Sequence, residues 1–137
     1  MSDLLDRPRA AEETDLDDQS LDPVAVRAVM QIGSKWGLTV SQTAALIREP
    51  ERSWNRLKAN PSPGDLDTDQ RTRASALVGI YKGLHEFFGE ELADRWVTMP
   101  NRGPLFNNET PFNLMLRGGI PAMLEVRDYV DALGHGM

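Results

Sequence analysis

From Phe88 to the C-terminus the chain is cut at short intervals by residues that stop or start helices: Gly89, Pro100-Asn101, Gly103-Pro104, Asn107-Asn108, Thr110-Pro111, Gly118-Gly119, Pro121 and Gly134. Proline lacks an amide hydrogen and clashes with the preceding helical turn, whereas glycine and asparagine accept the left-handed backbone that ends one. Between the cuts, apolar residues recur at helical spacing: Leu92, Ala93, Trp96 and Val97, then Phe112, Met115 and Leu116, then Met123, Val126, Val130 and Leu133. Such a segment predicts short helices with directions fixed by their joins. It carries no nucleophile, metal or phosphate signature, and that combination points to a binding surface.

The rest of the chain sets outer bounds on this reading. At 137 residues and 40% hydrophobic content, it fills one compact core or two small helical modules sharing a core. With no cysteine there is no disulfide framework, thiolate nucleophile or cysteine-based zinc site, and the expected location is the cytoplasm. The start lacks the basic and apolar runs of a signal peptide, and no apolar run nears the roughly 20 residues that span a bilayer, so no membrane role is expected.

Enzymatic readings find little support. His85, beside Glu86, reads as a structural or surface histidine, and His135 as a chain-end residue; neither has a nucleophile near it in pattern. Gly33-Ser34-Lys35 lacks the glycine spacing and the preceding strand of a phosphate loop. Glu90, Glu91 and Asp94 read as helix-start charges on a solvated face. No catalytic residue, cofactor or metal is expected.

The formal net charge of −6 lies entirely at the N-terminus. Arg7 and Arg9 there face Asp3, Asp6, Glu12, Glu13, Asp15, Asp17, Asp18 and Asp22. Residues 1–21 have too few large apolar side chains to offset the entropy of ordering, so an acidic, disordered arm is expected. It reads as a solvating tag, or as a competitor with phosphate for a neighbouring basic surface. Such a surface exists in pattern: between Pro23 and Pro63, Arg27, Lys35, Arg48, Arg52, Arg56 and Lys58 outnumber Glu49 and Glu51.

Helix signals begin at Asp22-Pro23, an N-cap and first-turn proline followed by Val26, Val29, Met30 and Ile32 on one face, with an end near Gly37. A short helix after Thr39 or Val40 puts Ala44 and Ile47 on one side, and another from Pro50 turns Trp54 and Leu57 inward. This is the pattern of a helix-turn-helix, in which the second helix enters the major groove: arginine pairs with guanine, asparagine with adenine, and basic groups touch phosphate. The DNA-facing set is Arg48, Arg52, Ser53, Asn55, Arg56 and Lys58. The turn, Arg48-Glu49-Pro50, lacks the usual glycine, and Glu49 and Glu51 sit where phosphates would approach. A solvated helical hairpin, or a degenerate helix-turn-helix serving dimerisation, fits the same pattern.

Asn60 to Asp65 reads as a linker. After it, Thr68-Asp69-Gln70 caps a long helix with Ala74, Leu77, Val78, Tyr81, Leu84 and Phe88 inward, ended by Gly89. A helix from Glu90 buries Trp96 as a core anchor; residues 99–110 form an ordered loop around Leu105 and Phe106; a short helix runs from Thr110-Pro111 to Arg117; and Pro121 opens the last helix. The expected fold is all-α.

Ala93-Asp94-Arg95-Trp96, Met99-Pro100-Asn101, Thr110 to Met115, Gly119 to Met123 and the closing His135-Gly136 resemble, in order and spacing, the toxin-binding domain of the Xre/ParS/MbcA antitoxins. Asp69-Gln70-Arg71, Phe87-Phe88-Gly89 and the upstream helix-turn-helix extend the resemblance to roughly Val24 through Met137. It departs at Asn107-Asn108, where the family often has glycine, and at the Arg48-Glu49-Pro50 turn.

Beyond the acidic arm at 1–21, which the resemblance leaves out, it implies an Xre-like helix-turn-helix module at 22–63 and a toxin-binding domain at 64–137. It further implies an antitoxin that neutralises a cognate RES-domain toxin, an NAD-consuming enzyme, by covering its active site with the C-terminal helix and tail, and that autorepresses its operon through operator DNA. The toxin-facing residues carried over by position are Arg117, Glu125, Arg127, Asp128, Tyr129, Asp131, His135, Gly136 and Met137. Self-association through the last helix would give a homodimer. The alternative is a DNA-binding transcriptional regulator whose C-terminal region only dimerises it.

Overall fold

The computed structural model describes residues 18–135, and all regular structure among them is helical. A 3₁₀ turn, Gln19–Leu21, leads into α1 (Asp22–Lys35), α2 (Val40–Leu46), α3 (Glu51–Ala59), α4 (Thr68–Phe87) and α5 (Glu90–Arg95). A second 3₁₀ turn, Trp96–Thr98, and a loop then lead to α6 (Pro111–Leu133).

Local chemistry sets these ends. Gly37, at φ 72°, reverses the chain after α1. Thr39 then caps α2 reciprocally: its hydroxyl accepts from Gln42 N at 3.0 Å, and Gln42 Oε1 accepts from Thr39 N at 2.8 Å. The same device opens α4 one residue earlier than the spacing predicts, because Asp67 rather than Thr68 pairs with Gln70. At the other end of α4 the expected left-handed glycine does not occur. Phe88 turns extended, and Gly89, at φ −65° and ψ 160°, becomes the N-cap of α5.

Asp22 is not an N-cap. It lies inside the first turn of α1, fully buried. Its carboxylate accepts from Arg71 Nε at 2.8 Å, Gly64 N at 2.9 Å and Leu66 N at 3.1 Å, while Arg71 Nη2 donates to the Leu66 carbonyl at 2.6 Å. The segment read as a linker is therefore fastened to the starts of both α1 and α4. Desolvating these charges is offset by multiple charge-assisted hydrogen bonds.

One hydrophobic cluster runs through both halves of the molecule, from Val26, Val29 and Trp36 through Leu77 and Ile80 to Met123, Val126 and Val130. α4 is its axis, packing on α1 and on α6. Two glycines one helical turn apart set the α4–α6 distance. A Cβ at Gly79 would lie 2.6 Å from Arg127 Nε, and one at Gly83 2.6 Å from Val130 Cγ1. Gly33 serves α1 and α2 in the same way, since its Cβ would meet Thr43 Cγ2 at 2.8 Å.

The two helices expected on either side of Gly118-Gly119 form one run, bent where Gly119 takes φ 68° and ψ −151°. Only glycine holds that geometry at low strain, and Pro121 just beyond it lacks an amide where the bend already interrupts the ladder. Two side chains read as inward face out. Met30 and Leu116 are exposed, and Leu114 takes the inward place beside Phe112 and Met115.

Candidate functional site

Two helix faces carry the residues singled out by sequence, and the scaffold holds them differently. On α3, Trp54 is buried, Leu57 and the Lys58 side chain are half-buried, and Arg52, Asn55 and Arg56 point to solvent with Ser53 at their margin. The helix starts at Glu51 after its N-cap Pro50, and the cationic side chains stand over a short element whose one buried side chain is Trp54.

The turn before α3 does without glycine because Arg48 itself adopts φ 60°. α4 supplies the hydrogen bonds that hold this conformation. Gln70 Nε2 donates to the Arg48 carbonyl at 3.3 Å and to Glu49 Oε1 at 2.5 Å. The Arg48 guanidinium lies 3.3 Å from Asp69 and 3.7 Å from Asp67. Arg48 thus fastens the turn to α4, and Glu49 is turned toward Gln70 rather than toward the outer face of α3.

On α6 the nominated residues separate by depth. Arg127 is half-buried across Gly79, and Tyr129 belongs to an aromatic cluster. The Tyr129 ring stacks on Trp96 at 6.1 Å and meets Phe106 edge-on at 5.0 Å. Both side chains lock α6 to its support. Arg117 is exposed and forms a paired bond to Glu109, with Nη2–Oε1 at 2.6 Å and Nε–Oε2 at 3.0 Å. That contact holds the Glu109 carboxyl below the usual glutamate range.

Beyond the Gly119 bend the exposed residues of α6 are Pro121, Leu124, Glu125, Asp128 and Asp131, with His135 just past the helix. Three carboxylates recur every third residue, next to a Leu124 side chain that is 42% exposed. His135 Nδ1 lies 2.7 Å from the Asp131 carbonyl just past the helix end. Gly136 and Met137, like most of the acidic arm, fall outside the described residues.

The loop before α6 aims the helix. Asn107 and Asn108 take φ 51° and 71°, asparagine filling positions that favour glycine. Asn108 N donates to the Asn101 carbonyl at 2.8 Å, and Phe106 is buried beneath. His85 sits between Tyr81 and Asp94, with Nδ1 2.9 Å from the Tyr81 carbonyl and Nε2 2.9 Å from Asp94 Oδ1, which ties α4 to α5. Among the described residues no cluster of three metal-ligating side chains occurs, and no helix is long and apolar enough to cross a membrane.

Sequence reasoning missed Arg73, which joins the two halves. It donates from Nε to Asp69 at 2.6 Å and from Nη1 to the Leu46 carbonyl at 3.2 Å, and its Nη2 lies beside the Gly119 bend. Its spacing from Asp69 was a readable helical ion pair; its reach to Leu46 and Gly119 is tertiary.

Comparison with known proteins gives two family matches. Residues 15–79 match the antitoxin Xre-like helix-turn-helix domain, and residues 84–136 match the antitoxin Xre/MbcA/ParS C-terminal toxin-binding domain. The two ranges meet inside α4. Uncharacterized protein y4oB of Sinorhizobium fredii (strain NBRC 101917 / NGR234) is 32% identical over 111 residues, covering 80% of this chain and 84% of that protein.

Proposed function

This chain belongs to the Xre/MbcA/ParS antitoxin family, and we propose that it neutralises a cognate RES-domain, NAD-consuming toxin by laying the outer face of α6 and the following tail over the toxin's active site. The observation that carries this reading is the single face formed by Leu124, Glu125, Asp128 and Asp131, on a helix whose other side is fixed to α4 and the Trp96 cluster. A cleft that binds a dinucleotide presents cationic and amide donors to its phosphates. A row of carboxylates on a rigid helix complements those donors and displaces the substrate that needs them.

The test is protection of cells that express the toxin. The triple reversal Glu125→Lys, Asp128→Lys and Asp131→Lys is expected to abolish protection while the purified variant keeps its helical signal and cooperative melting. Full protection by that folded variant would remove the proposal.

A second role is favoured by α3. Arg52, Asn55 and Arg56 project from one exposed helix, as groove recognition requires, so the same chain is proposed to bind operator DNA and repress its own operon. Arg52→Ala with Arg56→Ala should weaken binding and flatten its salt dependence by about two units of log–log slope, measured by titration at several salt concentrations. Exposed Leu116 and Leu124 also suit self-association into a homodimer.

A further inference from the structure

Where α4 and α6 end side by side, a pocket of about 280 Å³ opens between them. It is lined by Gly83, Glu86 and Phe87 of α4, by Val130 and Asp131 of α6, and by His135 just past the helix. Its volume falls just under the roughly 300–1,000 Å³ of sites that enclose a small molecule, a size that suits one long side chain. Gly83 leaves the floor bare. A Cβ there would lie 2.6 Å from Val130 Cγ1 and 3.6 Å from Asp131 Oδ1, so the Asp131 carboxylate is turned over that floor. Phe87 is 48% exposed although it is large and apolar. We infer that this pocket takes an arginine side chain of the toxin, its guanidinium held between Glu86 and Asp131 and against the Phe87 ring; the assignment rests on the toxin-binding role proposed for α6.

Three observations select this occupant. Glu86 and Asp131 are both exposed, and neither forms an ion pair among the described residues. Two helices also end here, α4 at Phe87 and α6 at Leu133, and the carbonyls of a last helical turn carry negative partial charge that favours a cation. The chemistry of the walls then separates the possible cations. No three metal-ligating side chains converge among the described residues, which leaves a side chain rather than a metal ion. A guanidinium is planar, stacks on an aromatic face and donates to two acceptors at once, whereas an ammonium is a compact and strongly hydrated point charge. Finally, Asp131 belongs both to the pocket and to the row that starts at Glu125 and Asp128, so a partner lying along α6 is led directly onto Phe87.

Calorimetric titration of the full chain with the proposed toxin tests this assignment. Phe87→Leu keeps an apolar wall but removes the aromatic face, and it is expected to weaken binding by about threefold to thirtyfold. Phe87→Tyr keeps the face and should bind like the parent. Replacing the toxin's surface arginines by alanine one at a time should find one that is coupled to this ring: with it gone, Phe87→Leu causes no further loss. Glu125→Lys with Asp128→Lys leaves every pocket residue in place and reports on the α6 face separately. If that variant loses the toxin while Phe87→Leu binds like the parent, the pocket assignment is overturned and the role of α6 stands. Equal losses from Phe87→Leu and Phe87→Tyr, or no toxin arginine coupled to Phe87, would overturn arginine as the occupant. Parent-like binding by Glu125→Lys with Asp128→Lys would overturn the role of α6 and this assignment with it.

Discussion

α3 and α6 both present charged residues to solvent, but they are supported differently. α3 is nine residues long and is held chiefly by Trp54, with its preceding turn fastened to α4 through Gln70 and Arg48. α6 is bedded along α4 over Gly79 and Gly83, clamped by Tyr129 against Trp96 and Phe106, and bent at Gly119. A short element that enters a groove needs orientation at one end. A helix that must cover a partner's cleft needs its whole face held, and two of its polar residues, Arg127 and Tyr129, are spent on that support. Charge on a helix is therefore no guide to its role until depth is known: Arg127 and Asp128 are neighbours in sequence, yet one lies across α4 and the other faces out.

The sharpest way to break this comparison is to separate the two helices' supports. Asp22→Ala removes the buried partner of Arg71 and should destabilise the chain by about 3–5 kcal/mol, measured by urea unfolding. Because Asp22 joins α1, the 60–67 segment and α4, the loss should appear as one shifted transition in probes of both halves. Two separate transitions would show that the halves fold independently. Gly83→Ala drives a Cβ into Val130 and should cost about 1–3 kcal/mol while weakening toxin binding through displacement of α6. The same measurements on Asp128→Lys should find stability within about 0.5 kcal/mol of the parent, with toxin binding weakened.

The smallest expected effect is at the loop that aims α6. Glu109 is held below the usual glutamate range by its bond to Arg117. A depressed carboxyl contributes stability that is fully present above its unfolded value, near about 4.3, and is lost as pH falls through its lower folded value. Glu109→Gln should therefore lower stability slightly at neutral pH and remove that part of the loss on acidification, so that the two proteins converge below the window. An unaltered acid limb in chemical unfolding would show that the pair adds nothing in solution.

Much of this arrangement is legible in the sequence because it rests on local rules. Thr39-Gln42, Thr110-Pro111, Asn107-Asn108 and the helical apolar spacing give the helices, most of their ends and the ordered loop. The departures occur where a distant partner overrides the local rule. Asp22 carries an N-cap's signature but is buried against Arg71; Arg48 adopts a glycine's conformation because Gln70 holds its carbonyl; Leu116 continues an apolar rhythm that the bend at Gly119 turns outward. The α6 surface was legible in outline, since its polar residues could be named. Which of them support the helix depended on distant partners, Gly79 in α4 for Arg127 and the Trp96–Phe106 pair for Tyr129; the one-turn spacing of Gly79 and Gly83 was a readable signal of the close α4–α6 approach.

The central claim is that the outer face of α6, and not the cationic face of α3, meets the toxin. Calorimetric titration of the proposed RES-domain toxin with two variants tests it most directly: one reversing Glu125, Asp128 and Asp131 to lysine, the other carrying Arg52→Ala, Asn55→Ala and Arg56→Ala. The account predicts a loss of about a hundredfold or more in affinity for the first and parent-like affinity for the second. Parent-like affinity for the α6 variant, or a comparable loss from the α3 variant, would contradict it.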